Sequence, residues 1–248
     1  MRNTDLEKIV NQLLNSTSFS DYTLNGLQIE GRSEIKKIVS GVTACYGLLT
    51  EAVRLKADAV LVHHGYFWKN ERPGLMGMQR NRIKIILEHD LNLFSWHHPL
   101  DAHPILGNNA QLASSLGIKI NGEVQSLLPW GELSVPLSAE ELKQRIYLTL
   151  GREPLHCSSD RAPVLIRYIA LCSGAGQGFI DSAASFGVDA FISGEVSEKT
   201  IHSAREQGLH FFSAGHHATE RGGVKALGQW LSEKHSLHVT FIDISNPA

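Results

Sequence analysis

The sequence predicts an α/β fold built of two similar lobes, and three observations carry that prediction. Short runs of β-branched residues alternate with amphipathic helical segments along most of the chain. A gapless offset of 131 residues aligns Ile35, Ile38, Ala44, Gly47, Ala52, Asp58 and Ala59 with Ile166, Ile169, Ala175, Gly178, Ala183, Asp189 and Ala190, so that strand, glycine turn, helix and buried strand occur twice in one order. The length of 248 residues suits two lobes of about 100 to 150 residues each, expected at 1–125 and 126–248.

Thr4 and Glu7 have capping-box spacing, and Leu6, Ile9, Val10, Leu13 and Leu14 follow with helical period, so the chain opens on an amphipathic helix. Asn25-Gly26-Leu27-Gln28 reads as a turn, and Ile35 to Val42 as a strand. A helix over Gly47 to Leu55 and a strand over Ala57 to Val62 complete a βαβ unit. A helix at Asn81 to His89, a strand at Asn92 to Trp96 and a helix at Asn109 to Leu116 come next. Gly117 to Pro136 holds turn residues and short β-prone pieces, which marks it as the junction between lobes. Ser138 and Glu141 form a second capping box, with Leu142, Ile146 and Leu150 stacked on its helix. The strand Val164 to Cys172 then leads into a helix-strand alternation that runs through to Ile244.

Composition narrows the function classes. Hydrophobic residues at 42% and charged residues at 19% are ordinary for a globular chain. A net charge of -2 gives no support to nucleic-acid or anionic-membrane binding. No stretch has the length and apolarity of a membrane span and no leader pattern opens the sequence, so a cytoplasmic protein is expected. Cys45, Cys157 and Cys172 lack CxxC spacing and read as reduced thiols, which argues against a cysteine zinc site and a disulfide framework.

The chemistry lies in the 13 histidines. His63 and His64 stand where the apolar run Ala59-Val60-Leu61-Val62 stops at Gly65. In the repeat the equivalent positions are Gly194 and Glu195. Further along the two halves come His97-x-x-x-Asp101 and His216-x-x-x-Glu220. A His-His pair at a strand end is commonly only a hydrogen-bonded turn, and HxxxE pairs arise by chance on exposed helices. Their joint placement after successive strands of two related lobes favours a metal site, because α/β proteins place sites at the carboxyl ends of parallel strands. Imidazole and carboxylate without thiolate suit iron, manganese, zinc or cobalt. Two such ions would need a bridging group, for which Glu220 or Asp101 is suited. On a helix, His216 and Glu220 share one face.

Other features read as structural. Ser173 to Gly178 lacks GxGxxG spacing and a Walker lysine, so a tight strand-to-helix turn is preferred over a phosphate loop. His98, His103, His202 and His217 are taken as outer or surface groups, and His89, His210, His235 and His238 as exposed. Trp68, Trp96, Trp130 and Trp230 are scattered and read as packing residues.

The ordered set Asn25-Gly26-Leu27-Gln28, Asp58-Ala59-Val60 to His63-His64-Gly65, His97 to Asp101, Asp189-Ala190 to Gly194-Glu195 and Gly215-His216 to Glu220 resembles the NIF-three-like family, also called type 2 GTP cyclohydrolase I, in its short YbgI-like branch. The resemblance spans nearly the whole chain. It implies two α/β lobes with a dinuclear metal site in the cleft between them, and a ring-shaped homohexamer. It also implies His63, His64, Asp101, His216 and Glu220 as ligands of two divalent ions, Glu220 bridging, and His97 beside the metals, either as an outer group supporting the ligands or as a proton-transfer residue. Longer members carry an insert between the lobes that this chain lacks. The Trp96-His97-His98-Pro99 stretch departs from the small or threonine residues usual there. The activity implied is metal-dependent hydrolysis of a nucleotide or related heterocycle. The alternatives are a metal-binding assembly or regulatory protein without turnover, and a nucleotide phosphoesterase.

Overall fold

The computed structural model describes residues 1–72 and 74–248. They form two compact units, Met1–Leu106 with Gly223–Ser245, and Gly107–Gly222 with Asn246–Ala248. By packing the chain changes unit at Gly107, ahead of the division expected after residue 125, because the strand that starts at Ile118 pairs entirely within the second sheet.

The first unit holds a five-stranded sheet in the order β1-β4-β3-β2-β11, comprising β1 (Gly26–Ile29), β2 (Lys37–Thr43), β3 (Ala59–His64), β4 (Asn92–Ser95) and β11 (His238–Phe241). All neighbours are parallel except β1, which runs antiparallel to β4. Successive side chains on a strand face opposite ways, and the packing follows this rule. Ile38, Ala59, Leu61, Phe94 and Trp96 pack with Leu6 and Val10 of α1 (Asn3–Leu13) and with Val224, Leu227 and Leu231 of α9 (His216–His235). Val39, Val60, Val62 and Leu93 pack with Leu48, Leu49 and Ala52 of α2 (Tyr46–Arg54) and with Ile83 and Ile86 of α3 (Gly77–Glu88). A sheet covered on both faces explains why β3 reads as a continuous apolar run.

The second unit repeats the plan in a six-stranded sheet ordered β5-β6-β8-β9-β10-β7. Its strands are β5 (Ile118–Gln125), β6 (Leu128–Leu137), β7 (Leu155–Cys157), β8 (Ile166–Cys172), β9 (Ala190–Ser193) and β10 (His210–Ser213). Ile169, Leu171, Ala190, Ile192 and Phe212 pack on α5 (Asn108–Leu116) and α6 (Ala139–Leu150). Ala170, Phe191 and Phe211 pack on α7 (Ile180–Phe186) and α8 (Glu198–Gln207).

The internal repeat is visible at the level of single bonds. Ile38 pairs with Ala59 and Ile169 with Ala190, the same register displaced by the sequence offset. Asp58 Oδ2 accepts from the amides of Lys36 and Lys37, both at 2.9 Å, and Asp189 Oδ2 accepts from Arg167 and Tyr168, both at 2.8 Å. The hydroxyl of Ser95 donates to the carbonyl of His63 at 2.9 Å, as Ser213 donates to Gly194 at 3.0 Å.

Several expectations need correction. Glu7 does not cap α1: Arg2 is the capping residue without a side-chain bond, and Glu7 Oε1 accepts from the Leu27 amide at 3.0 Å. Gly26-Leu27-Gln28 is part of strand β1 and not a turn. Gly117 to Pro136 is dominated by the β5–β6 hairpin, whose alternation is masked by exposure of most of β5. His210 is buried, stacked on Phe212 and on His156, whose Nε2 lies 3.0 Å from His210 Nδ1. His202 lies at the surface, as expected, with Nε2 2.9 Å from the Glu198 carboxylate four residues earlier. The Ser138–Glu141 capping box forms as expected, and no disulfide links the cysteines.

Asp189→Ala leaves two strand-end amides without their anionic acceptor and should cost about 1.5 to 3 kcal/mol, read as a lower urea midpoint; an unchanged midpoint would remove Asp189 from its register role. Burial lowers the His156 imidazolium below the ordinary histidine range, and neighbouring His210 and Lys143 lower it further. The folded chain therefore takes up this proton less readily than the unfolded chain, so the stability it contributes is complete above about pH 6.5 and declines as pH falls below that value. His156→Phe, which keeps an aromatic ring against Phe212, should flatten the decline in thermal unfolding midpoint between about pH 7.5 and about pH 5.5.

Candidate metal centre

In the first unit the site forms where β3 and β4 end. Alternation along β3 turns His63 to one face and His64 to the other, and α4 (His98–Ala102) begins just after β4 with His97 at its N-cap. His63 is fully buried, and its Nδ1 lies 3.0 Å from the Trp96 carbonyl. A carbonyl only accepts, so Nδ1 carries the proton and the ring lone pair lies on Nε2. That Nε2 faces Asp101 Oδ1 at 3.4 Å. A ring lone pair and a carboxylate oxygen at this separation call for a cation between them, either a proton or a metal.

The same construction recurs around the neighbouring rings. His64 Nδ1 lies 3.2 Å from the Thr43 hydroxyl, and His97 Nδ1 lies 3.0 Å from Asp21 Oδ1. His63, His64 and His97 each offer a ring nitrogen, and these atoms lie within 4.8 Å of one another. Asp21 is held in place by the amides of Tyr22 and His98, at 2.7 and 3.0 Å, and by Asn25 at 3.0 Å. Burial would raise its carboxyl, but hydrogen bonds from His97 and Asn25 and the nearby imidazoles hold it well below the usual carboxylate range. Burial and the adjacent His97 lower the His98 imidazolium.

In the second unit α9 begins directly after β10 and the Gly215 turn, which places His216 and Glu220 one helical turn apart. His216 Nδ1 lies 2.7 Å from Glu195 Oε1, and its Nε2 faces Glu220 Oε2 at 3.1 Å. Burial pushes the His216 imidazolium down, but bonding to Glu220 and Glu195 and their charges outweigh it and raise it to about 9. Gly174 makes room for this pair. Its φ of +62° is left-handed, and a Cβ there would run into the Glu220 carboxylate and lie 3.2 Å from His216 Nε2. The Ser173–Gly178 turn serves the fold, as expected: the Ser173 amide donates to Asn109 Oδ1 at 2.8 Å and the Gly174 amide to Thr219 Oγ1 at 3.0 Å.

Within the first unit the expected residues His63, His64, His97 and Asp101 therefore gather at the strand exits, and within the second His216 and Glu220 do. Sequence reading missed Asp21, Thr43 and Trp68, and it noted Glu195 only as the repeat counterpart of His64. Asp21 lies 76 positions from His97, and no local spacing signals that contact. Trp68 is not a core residue; its ring lies 5.1 Å from His97 and 6.0 Å from His64, centre to centre. His98 sits 3.6 Å from Asp21 Oδ1, in line with an outer role.

These features define a class: duplicated α/β proteins whose strand exits carry thiolate-free groups of imidazole and carboxylate able to hold divalent cations. The chain belongs to the Duf34/NIF3 (NGG1p interacting factor 3) family, whose model matches residues 1–247. It is 62% identical over 248 residues, the full length of both chains, to the Escherichia coli K12 protein named GTP cyclohydrolase 1 type 2 homolog. It is 55% identical to the Vibrio cholerae protein of the same name, again across all of both chains. Among solved structures, protein ybgI, described as of unknown function, matches with a TM-score of 0.99 at 62% identity, and TTHA1606 from Thermus thermophilus with 0.91 at 28%, each covering all of both chains. No helix among the described residues is long and apolar enough to cross a membrane.

Gly174→Ala tests the packing around Glu220. The left-handed backbone and the displaced carboxylate should together lower unfolding stability by at least about 1 kcal/mol; an unfolding midpoint equal to that of the unsubstituted chain would show that Glu220 does not fill this space.

Proposed function

We propose that this protein is a dinuclear metal-dependent hydrolase acting on a nucleotide or related heterocycle, with His63, His64, Asp101, His216 and Glu220 as ligands and Glu220 as the bridge. The supporting observation is the shared posture of the imidazoles. In His63, His64 and His216, Nδ1 meets a second partner, namely the Trp96 carbonyl, the Thr43 hydroxyl and the Glu195 carboxylate. Such outer bonds fix the ring plane and tautomer of metal-binding histidines and raise their basicity. The donor set fits iron, manganese, zinc or cobalt.

Two divalent ions held there supply Lewis acidity and lower the pKa of water at the site. The chain's own groups do the rest. Asp101 and Glu220 offset cationic charge, Glu195 and the Trp96 carbonyl hold His216 and His63 in orientation, and Asp21 holds His97 with Nε2 as the atom that takes up or delivers a proton. The name carried by the close relatives supports a heterocyclic substrate. A homohexameric ring belongs to the same proposal.

Elemental analysis of untagged protein, prepared without chelator and reconstituted anaerobically, should give close to two transition-metal ions per chain. Glu220→Ala should lose at least one ion with the fold retained, and full metal content in that variant would remove Glu220 from the site. With metal bound, loss of guanine absorbance from GTP without phosphate release supports ring hydrolysis. Phosphate release points to a phosphoesterase, and neither change across a panel of nucleotides and pterin-like rings points to a binding or assembly role.

A further inference from the structure

We infer that Tyr22 and Trp68 form an aromatic wall that stacks a planar heterocyclic ring of the substrate beside the first-unit histidines. This inference rests on the proposed hydrolase reading and names the part of the substrate that the chain recognises.

Four observations carry it. First, neither ring contributes to the hydrophobic clusters of the first unit. Tyr22 is 51% exposed and Trp68 partly exposed, while Trp96 nearby is fully buried. Second, the two rings lie together, with centres 5.7 Å apart, and both touch the site. Trp68 stands nearly perpendicular to His97, at 5.1 Å and 85°, and Tyr22 nearly perpendicular to His98, at 5.1 Å and 85°. Third, the two loops that bear them are tied to each other. The Lys69 amide donates to the Tyr22 carbonyl at 2.7 Å and the Thr23 hydroxyl to the Tyr66 carbonyl at 3.1 Å. Gln28 Nε2 bonds the carbonyls of Leu24 and Tyr66 at 2.7 and 3.0 Å, while its Oε1 accepts from the Tyr66 amide at 2.7 Å. Between them Phe67 sits at φ +63°, a conformation that bulky side chains rarely adopt.

Fourth, the chemistry of the wall suits a planar ring. The Trp68 indole N–H lies 3.3 Å from the Gly65 carbonyl, so the indole offers its π surface to a ligand. Asp21 accepts from the Tyr22 amide and Glu71 from the Trp68 amide, so these two carboxylates orient the wall, and what Tyr22 and Trp68 themselves offer a ligand is aromatic surface. An apolar aromatic surface meeting a few convergent polar groups is the usual make-up of a small-molecule site, and every heterocyclic base has a face that stacks on such a surface.

The test measures binding of guanosine, pterin, choline and ribose 5-phosphate to manganese-loaded full-length protein by calorimetry, with manganese content determined on the same samples. Expected is binding of guanosine or pterin that weakens by about tenfold or more in Trp68→Leu and in Tyr22→Leu. Trp68→Phe, which keeps a π face, should stay within about threefold of the parent. Metal content and any response to ribose 5-phosphate should be the same in all four proteins. Equal ring binding in Trp68→Leu, parallel loss of ribose 5-phosphate binding, binding only of an organic cation such as choline, or no ring binding by the parent chain would each overturn the inference. A chain that takes up none of manganese, iron, zinc and cobalt would defeat the metal reading instead, and the ring comparison between parent and Trp68→Leu would still decide the wall.

Discussion

One carboxylate at the start of a strand, used twice, governs where everything downstream emerges. Asp58 grips the amides of Lys36 and Lys37, and Asp189 grips those of Arg167 and Tyr168. Each clamp sets the register of a parallel strand pair. A slip of one residue would turn every side chain of β3 to the opposite face, burying His64 where His63 now lies. The serine bonds at the far ends of the strands, from Ser95 and Ser213, close the same register from the other side.

Above those strand ends, chemistry comes from orientation more than from residue type. Thirteen histidines are spread through the chain; at the strand exits His63, His64 and His216 have Nδ1 committed to a carbonyl, hydroxyl or carboxylate, and Nε2 of His63 and of His216 faces a carboxylate. His156 and His210 show the contrast: their ring nitrogens are used on each other and on the Pro163 carbonyl, in the service of packing. The same side chain is a scaffold part in one place and a candidate ligand in another because of what sits behind the ring.

Much of this was legible in the sequence. The α/β alternation, the repeat and the gathering of His63, His64, His97 and Asp101 follow from period and spacing, since local pattern sets which strand ends where. What escaped were contacts between segments far apart in the chain. Asp21 behind His97 and Thr43 behind His64 depend on which loop passes over which strand exit. Glu7 looked like a cap because its spacing from Thr4 was right, but a strand amide competes for the same carboxylate and holds it. The β5–β6 hairpin hid because its outward positions are polar and its first strand is mostly exposed, so no buried stripe announced it. The indole of Trp68 looked like one more core residue; only the fold shows that a strained turn carries it out of the core.

The duplicated clamp has a consequence for how the donors are distributed. Two identical chains related by symmetry must present the same residues at equivalent strand exits, so any improvement at one is imposed on the other. A chain that carries both copies in tandem escapes that rule. Here one exit bears His63-His64 and its counterpart bears Gly194-Glu195, and the following helices bear aspartate in one copy and glutamate in the other. Fusion of the halves thus breaks a symmetry that assembly alone would have enforced, and lets a single gene specialise its two strand ends for different tasks.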